Sequence, residues 1–257
     1  MLQTINAHPR DSNIKFDEGP HVYHINGDSS YTSVTTWCHS HFPKFDADLI
    51  IDKMMASKKW EKSKYFGQTK EEIKKLWSDN GKKASSAGTK LHNDIENFYN
   101  TEPYENESPE FQYFLDYHSK IPKEWEPFRT EWMVYDEDLK IAGSIDMIYI
   151  KPDGKLIIAD WKRCKEISKT NYFESAITEC ISHLPSSNFW QYSLQLNTYR
   201  IILEKKYGYE IAEMFLVCLH PNKTTWKKVQ VPFLKQEMDD LVALRNKLKS
   251  TKHVCHI

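Results

Sequence analysis

The chain has 257 residues, a formal net charge of −1, and 40% hydrophobic and 28% charged residues. This length and composition predict one large soluble domain with a full core and exclude a disordered chain. The near-zero net charge gives no overall signal for a nucleic-acid partner. No apolar run approaches the roughly 20 residues that a membrane helix needs, and the N-terminal residues show no secretion signal.

The five cysteines are widely spaced and form no C-x-x-C pair. This pattern predicts neither disulfides nor an iron–sulfur cluster, so we expect a reducing, intracellular compartment, either cytoplasm or nucleus. The excess of lysine over arginine weakly favours an AT-rich source genome, such as that of a virus or phage.

Turn and cap signals organise the first hundred residues. Segments 21–25 and 31–34 flank Asn26-Gly27, which favours a β-hairpin. Helices are predicted to begin at Ser33 or Thr35 and near Asp46, and residues 69–72 form a capping-box sequence. Further helices are predicted at residues 52–60, 69–78 and 84–99.

Charge is distributed unevenly along this part of the chain. Residues 53–83 contain ten lysines and four acids, whereas residues 94–131 contain ten acids and three basic residues. Aromatic residues alternate with the lysines, a combination that suits binding of a single nucleic-acid strand. Segment 46–84 is therefore predicted to be a helical, basic, substrate-guiding part of a single domain spanning residues 1–257. The alternative is a solvated helical face with its aromatics in the core. The lysines predicted to contact nucleic acid are Lys58, Lys59, Lys62 and Lys64.

The second half of the chain alternates between strand and helix patterns. Strand 128–135 and the two arms of a hairpin within residues 143–162 form a predicted three-stranded meander, which indicates an α/β fold with a mixed sheet. The other predicted elements are helix 111–118, helix 189–206, strands 211–219 and 227–231, and helix 237–249.

The central hairpin contains the acidic and basic residues that are candidates for catalysis. Its turn is Pro152-Asp153-Gly154, and a register centred on Asp153 places Asp146 opposite Asp160, with Lys162 on the same face. Two facing carboxylates repel each other, and a divalent cation with hard oxygen ligands, Mg²⁺ or Mn²⁺, would relieve that repulsion. The alternative is that Asp160 and Lys162 simply end their strand in solvent.

These residues belong to a longer ordered pattern that resembles the PD-(D/E)XK nuclease superfamily, most closely its RecB-like and lambda-exonuclease-like branch. The resemblance covers roughly residues 31–231 and implies a restriction-endonuclease-like α-β-β-β-α-β core, here with an N-terminal lysine-rich helical insertion. The pattern is Gly88-Thr89-x-x-His92-x-x-x-Glu96, Glu131, Gly143-x-x-Asp146, Asp160-Trp161-Lys162 and Gln191-x-x-x-Gln195-x-x-x-Tyr199.

The resemblance implies a role for each central position. Asp146 corresponds to the bridging metal carboxylate, Asp160 to the second carboxylate, and Lys162 to the catalytic lysine. His92 corresponds to an additional metal ligand, and the Trp161 carbonyl to a backbone ligand. One or two Mg²⁺ or Mn²⁺ ions are implied.

Five further positions are candidates to support this site. Glu96 either orients His92 or is a plain surface acid, and Glu131 occupies an acidic position whose role stays open. Gln191 or Gln195, together with Tyr199, is expected to contact DNA phosphate or to steady the lysine. The alternative is a buried hydrogen-bonding pair without substrate contact.

The function expected from this resemblance is metal-dependent hydrolysis of phosphodiester bonds. A DNA exonuclease or end-processing nuclease for recombination, repair or replication is the first interpretation, and DNA with free ends, single- or double-stranded, is its substrate. An endonuclease, including one acting on RNA, is the second, and a non-catalytic nucleic-acid-binding module is the third. No membrane partner is expected.

Overall fold

The computed structural model describes the backbone of residues 1–254 and the side chains of residues 1–250. The helices are α1 (Leu2–Ile5), α2 (Val34–His39), α3 (Ala47–Met55), α4 (Lys70–Asn100), α5 (Pro109–His118), α6 (Asn188–Ile202) and α7 (Lys235–Val254). The strands are β1 (Ile14–Asp17), β2 (Val22–Ile25), β3 (Thr32–Ser33), β4 (Glu126–Asp136), β5 (Ile141–Ile150), β6 (Leu156–Lys162), β7 (Ile211–Cys218) and β8 (Lys227–Val231).

A six-stranded mixed sheet forms the centre of the molecule. Its order is β3-β5-β6-β7-β8, and β4 pairs with the other edge of β5. The β3–β5 and β6–β7 pairs are parallel, and the other pairs are antiparallel. The order α4-β4-β5-β6-α6-β7 is the predicted core, so the expected α/β class with a mixed sheet between helices is confirmed.

Two apolar cores cover the two faces of this sheet. One core joins α2 and α6 to the strands and includes Val34, Leu194 and Ile158. The other joins α4 and α5 to the opposite face and includes Leu91 and Phe114. The central strands are therefore held between helices on both sides, and burial of these apolar surfaces is the main stabilising term.

The central hairpin has the predicted register. Ile150 pairs with Leu156 and Met147 with Ala159, and the turn residue Gly154 adopts a φ of 82°. Pairing between β5 and β6 stops at Met147, and farther along the same edge β5 pairs with β3 instead. The sheet therefore forks beside Asp146, the residue that begins the unpaired stretch.

The expected pairing of segments 21–25 and 31–34 in one hairpin is wrong. Asn26 and Gly27 do form a tight turn with φ values of 51° and 85°. However, β2 pairs with the upstream strand β1, whereas β3 leaves the turn and pairs in parallel with β5. Tyr23 and Ile25 pack with Ile14 in a small separate core, and this packing selects the upstream strand.

Several helix boundaries also differ from the predictions. The helix expected at residues 52–60 is α3, which begins earlier because the Asp46 side chain accepts a hydrogen bond from the Leu49 amide at 3.0 Å. The helices expected at 69–78 and 84–99 are one continuous helix, α4, of 31 residues, and its predicted capping box at Thr69 and Glu72 is confirmed. Gly81 does not end the helix, because a lone glycine costs only about 1 kcal/mol there. The helix expected at 189–206 ends at Ile202 and continues as a π-helical turn, Leu203–Tyr207.

Cysteine chemistry and membrane insertion can be checked over the described residues. Cys38, Cys164, Cys180 and Cys218 are free thiols, and Cys255 lies outside the described residues. Within residues 1–254, no helix combines the length and the apolar character required to cross a bilayer.

Candidate active site

The sheet is irregular where β4 and β5 carry two facing acids. Glu131 and Asp146 occupy opposite positions, between the Thr130–Met147 and Trp132–Ile145 pairs. Glu131 adopts a φ of 41°, a left-handed conformation that costs of order 1–3 kcal/mol for a residue with a side chain. The Ser144 hydroxyl donates a hydrogen bond to Glu131 Oε2 at 2.9 Å.

The irregularity changes which face of the sheet each residue covers. Ile145 belongs to the core beneath α6, whereas Met147, two residues later, belongs to the core beneath α4. A regular pleat would place both side chains on one face. The strained backbone at Glu131 therefore coincides with a switch of faces and places two carboxylates at the fork of the sheet.

His92 completes this group from the second half of α4. Its Nε2 lies 2.9 Å from the Trp161 carbonyl oxygen and must be the donor, since a carbonyl only accepts. Its Nδ1 then faces Asp146 Oδ2 at 3.4 Å and Glu131 Oε1 at 3.9 Å. One nitrogen and two carboxylate oxygens thus lie within 4.8 Å of one another, a spacing that could hold a metal ion.

The electrostatics of this group follow from burial and from its excess of acids. Burial by itself lowers the pKa of His92, but the carboxylates of Asp146 and Glu131 more than offset this and raise it to about 9. Burial raises the pKa of Asp146, and the charge of Glu131 acts in the same direction. The group therefore attracts positive charge, either a proton on His92 or a cation.

Asp160 and Lys162 form a second pair at the end of β6. Asp160 is 2% exposed, so the alternative of a strand end in solvent is wrong. Lys162 Nζ lies 2.6 Å from Asp160 Oδ2, so the two side chains form a close ion pair. Burial and the charge of Asp146 raise the pKa of Asp160 to about 6.

Lys162 is held by α6 as well as by Asp160. Its Nζ lies 3.5 Å from Gln195 Oε1 and 4.5 Å above the ring of Tyr192. Burial would lower the pKa of Lys162, but the two aspartates raise it above the usual value. This lysine therefore stays protonated at neutral pH and offers a positive charge rather than a base.

A close approach between Gly143 and Tyr199 supports this arrangement. The Gln195 amide donates to the Tyr199 hydroxyl at 3.4 Å, and Tyr199 is buried. A β-carbon at Gly143 would lie 2.9 Å from both Cε1 and the hydroxyl oxygen of Tyr199. Only glycine lets the tyrosine ring approach β5 this closely.

The structure brings most of the predicted site residues together, but their partners differ from those expected. Glu131 joins His92 and Asp146, whereas Asp160 pairs with Lys162 and the Trp161 carbonyl accepts from His92. The Trp161 amide donates to Asp146 Oδ2 at 2.9 Å.

The flanking predictions have mixed outcomes. Gln195, not Gln191, contacts Lys162; Gln191 is half-buried one turn earlier. Glu96 is also half-buried, and burial together with the charge of Glu131 raises its pKa. Within residues 1–250, no hydrogen bond or ion pair joins Glu96 to His92, so the structure gives no support for Glu96 as the residue that orients the histidine.

Sequence reasoning did not single out Ser144 or Tyr192. Ser144 follows Gly143 directly and orients the Glu131 carboxylate. Tyr192 precedes Gln195 by three residues on α6, a spacing that places both on one helix face. Their positions beside motif residues were the available signal.

The predicted basic segment, residues 46–84, forms a helical arm made of α3, a short 3₁₀ turn and the first part of α4. Lys58, Lys59, Lys62 and Lys64 are exposed at its tip, and Lys64 Nζ lies 4.8 Å from the ring of Tyr65. Lys70 and Lys74 instead form ion pairs with acids of α3.

The chemistry of the donor set suits a divalent cation. Imidazole nitrogen and carboxylate oxygen are common ligands of such ions, and a hard ion such as Mg²⁺ prefers the oxygens. The Trp161 carbonyl fixes the ring of His92, as outer partners of metal-binding histidines do. The buried carboxylate of Asp160, paired with Lys162, adds a further acid beside this group.

Comparison with known proteins agrees with this geometry. The model of the PD-(D/E)XK nuclease superfamily matches residues 68–255. The chain belongs to this superfamily. Membership supports nuclease activity, the hydrolysis of phosphodiester bonds in nucleic acid, and nucleases of this superfamily use divalent metal ions. The restriction-endonuclease-like fold expected from the sequence is thereby confirmed.

Other comparisons add little. No curated protein matches the chain. A crystal structure from Eubacterium rectale, which carries a provisional description as an exonuclease, is 11% identical and matches with a TM-score of 0.32 over 85% of this chain and 78% of that one. The two structures superimpose poorly, so this likeness adds nothing to the family assignment.

Proposed function

We propose that this chain is a divalent-metal-dependent nuclease that processes DNA from free ends. The observation that carries the proposal is the convergence of His92, Glu131 and Asp146 within 4.8 Å, beside the charged Lys162. Family membership supports the nuclease reaction. The preference for ends, and a place in recombination, repair or replication, rest on the branch that the sequence resembles.

The residues that would hold the ion are Asp146, Glu131 and His92 Nδ1, with Asp160 as a further candidate ligand. A bound Mg²⁺ or Mn²⁺ ion supplies Lewis acidity that activates water and neutralises phosphate charge. Glu131 thereby gains a role that sequence reasoning left open. The strain in its backbone is consistent with a carboxylate held for function rather than for stability.

Lys162 acts as a fixed positive charge. Because its pKa is raised, it cannot take a proton from water at neutral pH, and it instead stabilises the charge that develops on the phosphoryl oxygens. Gln195 and Tyr192 hold its ammonium group, and Tyr199 holds Gln195. In the metal-free protein, the charges of Asp160 and Asp146 favour the protonated form of the lysine.

The test uses end-labelled linear and covalently closed circular DNA, with matched RNA, in Mg²⁺, Mn²⁺ or chelator. We expect metal-dependent degradation of linear DNA and sparing of circles. Asp146→Asn and Lys162→Met should each lower the rate by at least about 100-fold, since each removes charge stabilisation in the transition state.

Matched controls separate chemistry from folding. Asp239→Asn and Lys235→Met change exposed residues of α7 and should leave the rate unchanged. Thermal unfolding of all four variants should show a folded protein. Full activity in Asp146→Asn and Lys162→Met would contradict the site, and cleavage of closed circles would favour an endonuclease.

A further inference from the structure

A loop of residues 163–187 connects the catalytic strand β6 to α6 and exposes two adjacent aromatic rings. Tyr172 is 88% and Phe173 is 94% exposed. Phe173 has the largest exposed fraction among the large hydrophobic side chains of residues 1–250. Two adjacent exposed rings form an apolar surface that is a candidate binding site.

Hydrogen bonds fix the backbone that carries these rings. The Asn171 side chain accepts a hydrogen bond from the Phe173 amide at 3.0 Å and donates to the Ser186 carbonyl at 2.7 Å. The indole of Trp190 donates to the Lys169 carbonyl at 3.0 Å. A backbone that is already ordered loses less entropy when a ligand binds than a mobile one does.

The same helix that anchors the loop also holds the catalytic lysine. Asn188 and Trp190, in the first turn of α6, bind the backbone of the loop, and Tyr192 lies under Lys162. The position of the aromatic pair relative to the active site is therefore set by one rigid element.

Both lysines and acids accompany the rings. Lys165 and Lys169 are exposed on the loop, and its acids are Glu166, Glu174 and Glu179. The two lysines can contact a nucleic-acid backbone beside the rings.

We propose that Tyr172 and Phe173 form a stacking platform for unpaired bases, so that the substrate is single-stranded nucleic acid or the single-stranded end of a duplex. Every base offers an aromatic face, and lysines contact the backbone, so this combination binds a single strand without reading its sequence. In a blunt duplex the faces of the bases are already stacked. The proposal rests on the proposed nuclease function and specifies its substrate.

The test measures binding in chelator, where no turnover occurs, by fluorescence anisotropy of labelled oligonucleotides. The ligands are single-stranded DNA, single-stranded RNA, a blunt DNA duplex and a single strand with abasic sites. Tyr172→Ala/Phe173→Ala should weaken binding of single-stranded DNA, RNA or both by about 10- to 100-fold, as expected for loss of stacking. Binding of the duplex and the abasic strand should change little.

Phe233→Ala is the matched control, because Phe233 is also exposed but follows β8 at the far end of the sheet from Lys162. It should bind as the parent does, and circular dichroism should show that both variants are folded. Equal single-strand binding by parent and double variant would overturn the proposal. Platform-dependent binding by a protein that shows no cleavage in any metal would refute the nuclease function alone.

Discussion

The forked end of the sheet and the helical arm differ in how deeply their residues are buried. At the fork, Asp160 and Tyr199 are almost completely buried between two apolar cores. In the arm, residues 46–84, the structure describes Ile51 and Ile73 as buried and every other residue as partly or fully exposed. Small geometric changes should therefore be costly at the fork and tolerated in the arm.

The same contrast holds for charge. At the fork, buried charges shift one another's pKa, and removing a basic group leaves the excess of acids without compensation. In the arm, Lys70 and Lys74 pair with Asp52 and Asp48 at 2.8 and 2.7 Å on the surface, where such pairs contribute about 0–1 kcal/mol. We therefore expect the exact positions of the side chains to matter at the fork, whereas only the net charge should matter in the arm.

The largest expected effect is at Glu131, where strain and function coincide. Glu131→Gln should lower cleavage by about 100- to 1,000-fold, because it removes one stabilising charge from the site. Glu131→Gly should lose the same activity while raising the free energy of unfolding of the metal-free protein by about 1 kcal/mol, since glycine accepts the φ of 41° without strain. Urea unfolding and rate measurements check both changes.

Asp239→Asn serves as the control here as well. A fall in the stability of Glu131→Gly, or normal cleavage by either Glu131 variant, would show that this residue is an ordinary strand position.

Gly143→Ala tests how tightly the fork is packed. The new β-carbon would lie 2.9 Å from the buried Tyr199 ring, which must move and take Gln195 with it. We expect a loss of about 1–3 kcal/mol in stability, typical of overpacking. Displacement of Lys162 by about 1 Å should lower the rate by about 100-fold.

Kinetics and thermal unfolding of this variant, with Gly19→Ala in an exposed turn as comparison, separate the two effects. If Gly143→Ala cleaves at the normal rate, the contact with Tyr199 is irrelevant to the position of the lysine.

His92 gives the fork a pH dependence that the arm lacks. Its pKa of about 9 in the metal-free protein means that a cation must displace a proton from Nδ1. Affinity for Mn²⁺ should therefore rise by up to about tenfold per pH unit until the pH reaches about 9. Titration calorimetry in two buffers of different ionisation enthalpy should detect the released proton.

The metal-free protein should show the linked effect on stability. Because the folded pKa of His92 lies above its unfolded value of 6.5, its stabilising contribution is complete below pH 6.5 and is lost as the pH rises through 9. His92→Gln should remove both trends, and a pH-independent Mn²⁺ affinity in the parent would exclude His92 as a ligand.

The smallest effect is expected in the arm. Replacing Lys58, Lys59, Lys62 and Lys64 by glutamine should leave folding and turnover at saturating substrate unchanged. The dependence of log K on log salt should become shallower by about one for each ion pair between a lysine and a phosphate that the substitutions remove. Filter binding across a salt series, with the ion-paired Lys70→Gln as comparison, measures this. An unchanged slope would show that the arm does not bind nucleic acid.

The sequence was sufficient where local chemistry decides the structure. The turn at Gly154 fixed the register of the central hairpin, and Ser33, Asp46 and Thr69 capped helices as expected. These features depend on a few neighbouring residues. The motif order then indicated the family, because it spaces charged residues that only the folded sheet brings together.

Features that depend on contacts between distant parts of the chain could not be predicted from the sequence. The role of Glu131 depends on a left-handed residue in the middle of a strand, which alternating patterns do not reveal. The pairing of β2 with β1 depends on tertiary packing around Ile25. The ion pair between Asp160 and Lys162 depends on how α6 lies against β6.

The continuity of α4 has a mechanical consequence. One uninterrupted helix carries the arm at its beginning and His92 near its end. The helix itself therefore fixes the orientation of the arm relative to the fork. Adding a single alanine near Gly81 would turn the arm by about 100° around the helix axis, while adding four residues would bring it back to within about 40° of its direction, about 6 Å farther out. The arm can be redirected in this way without changing a residue of the fork.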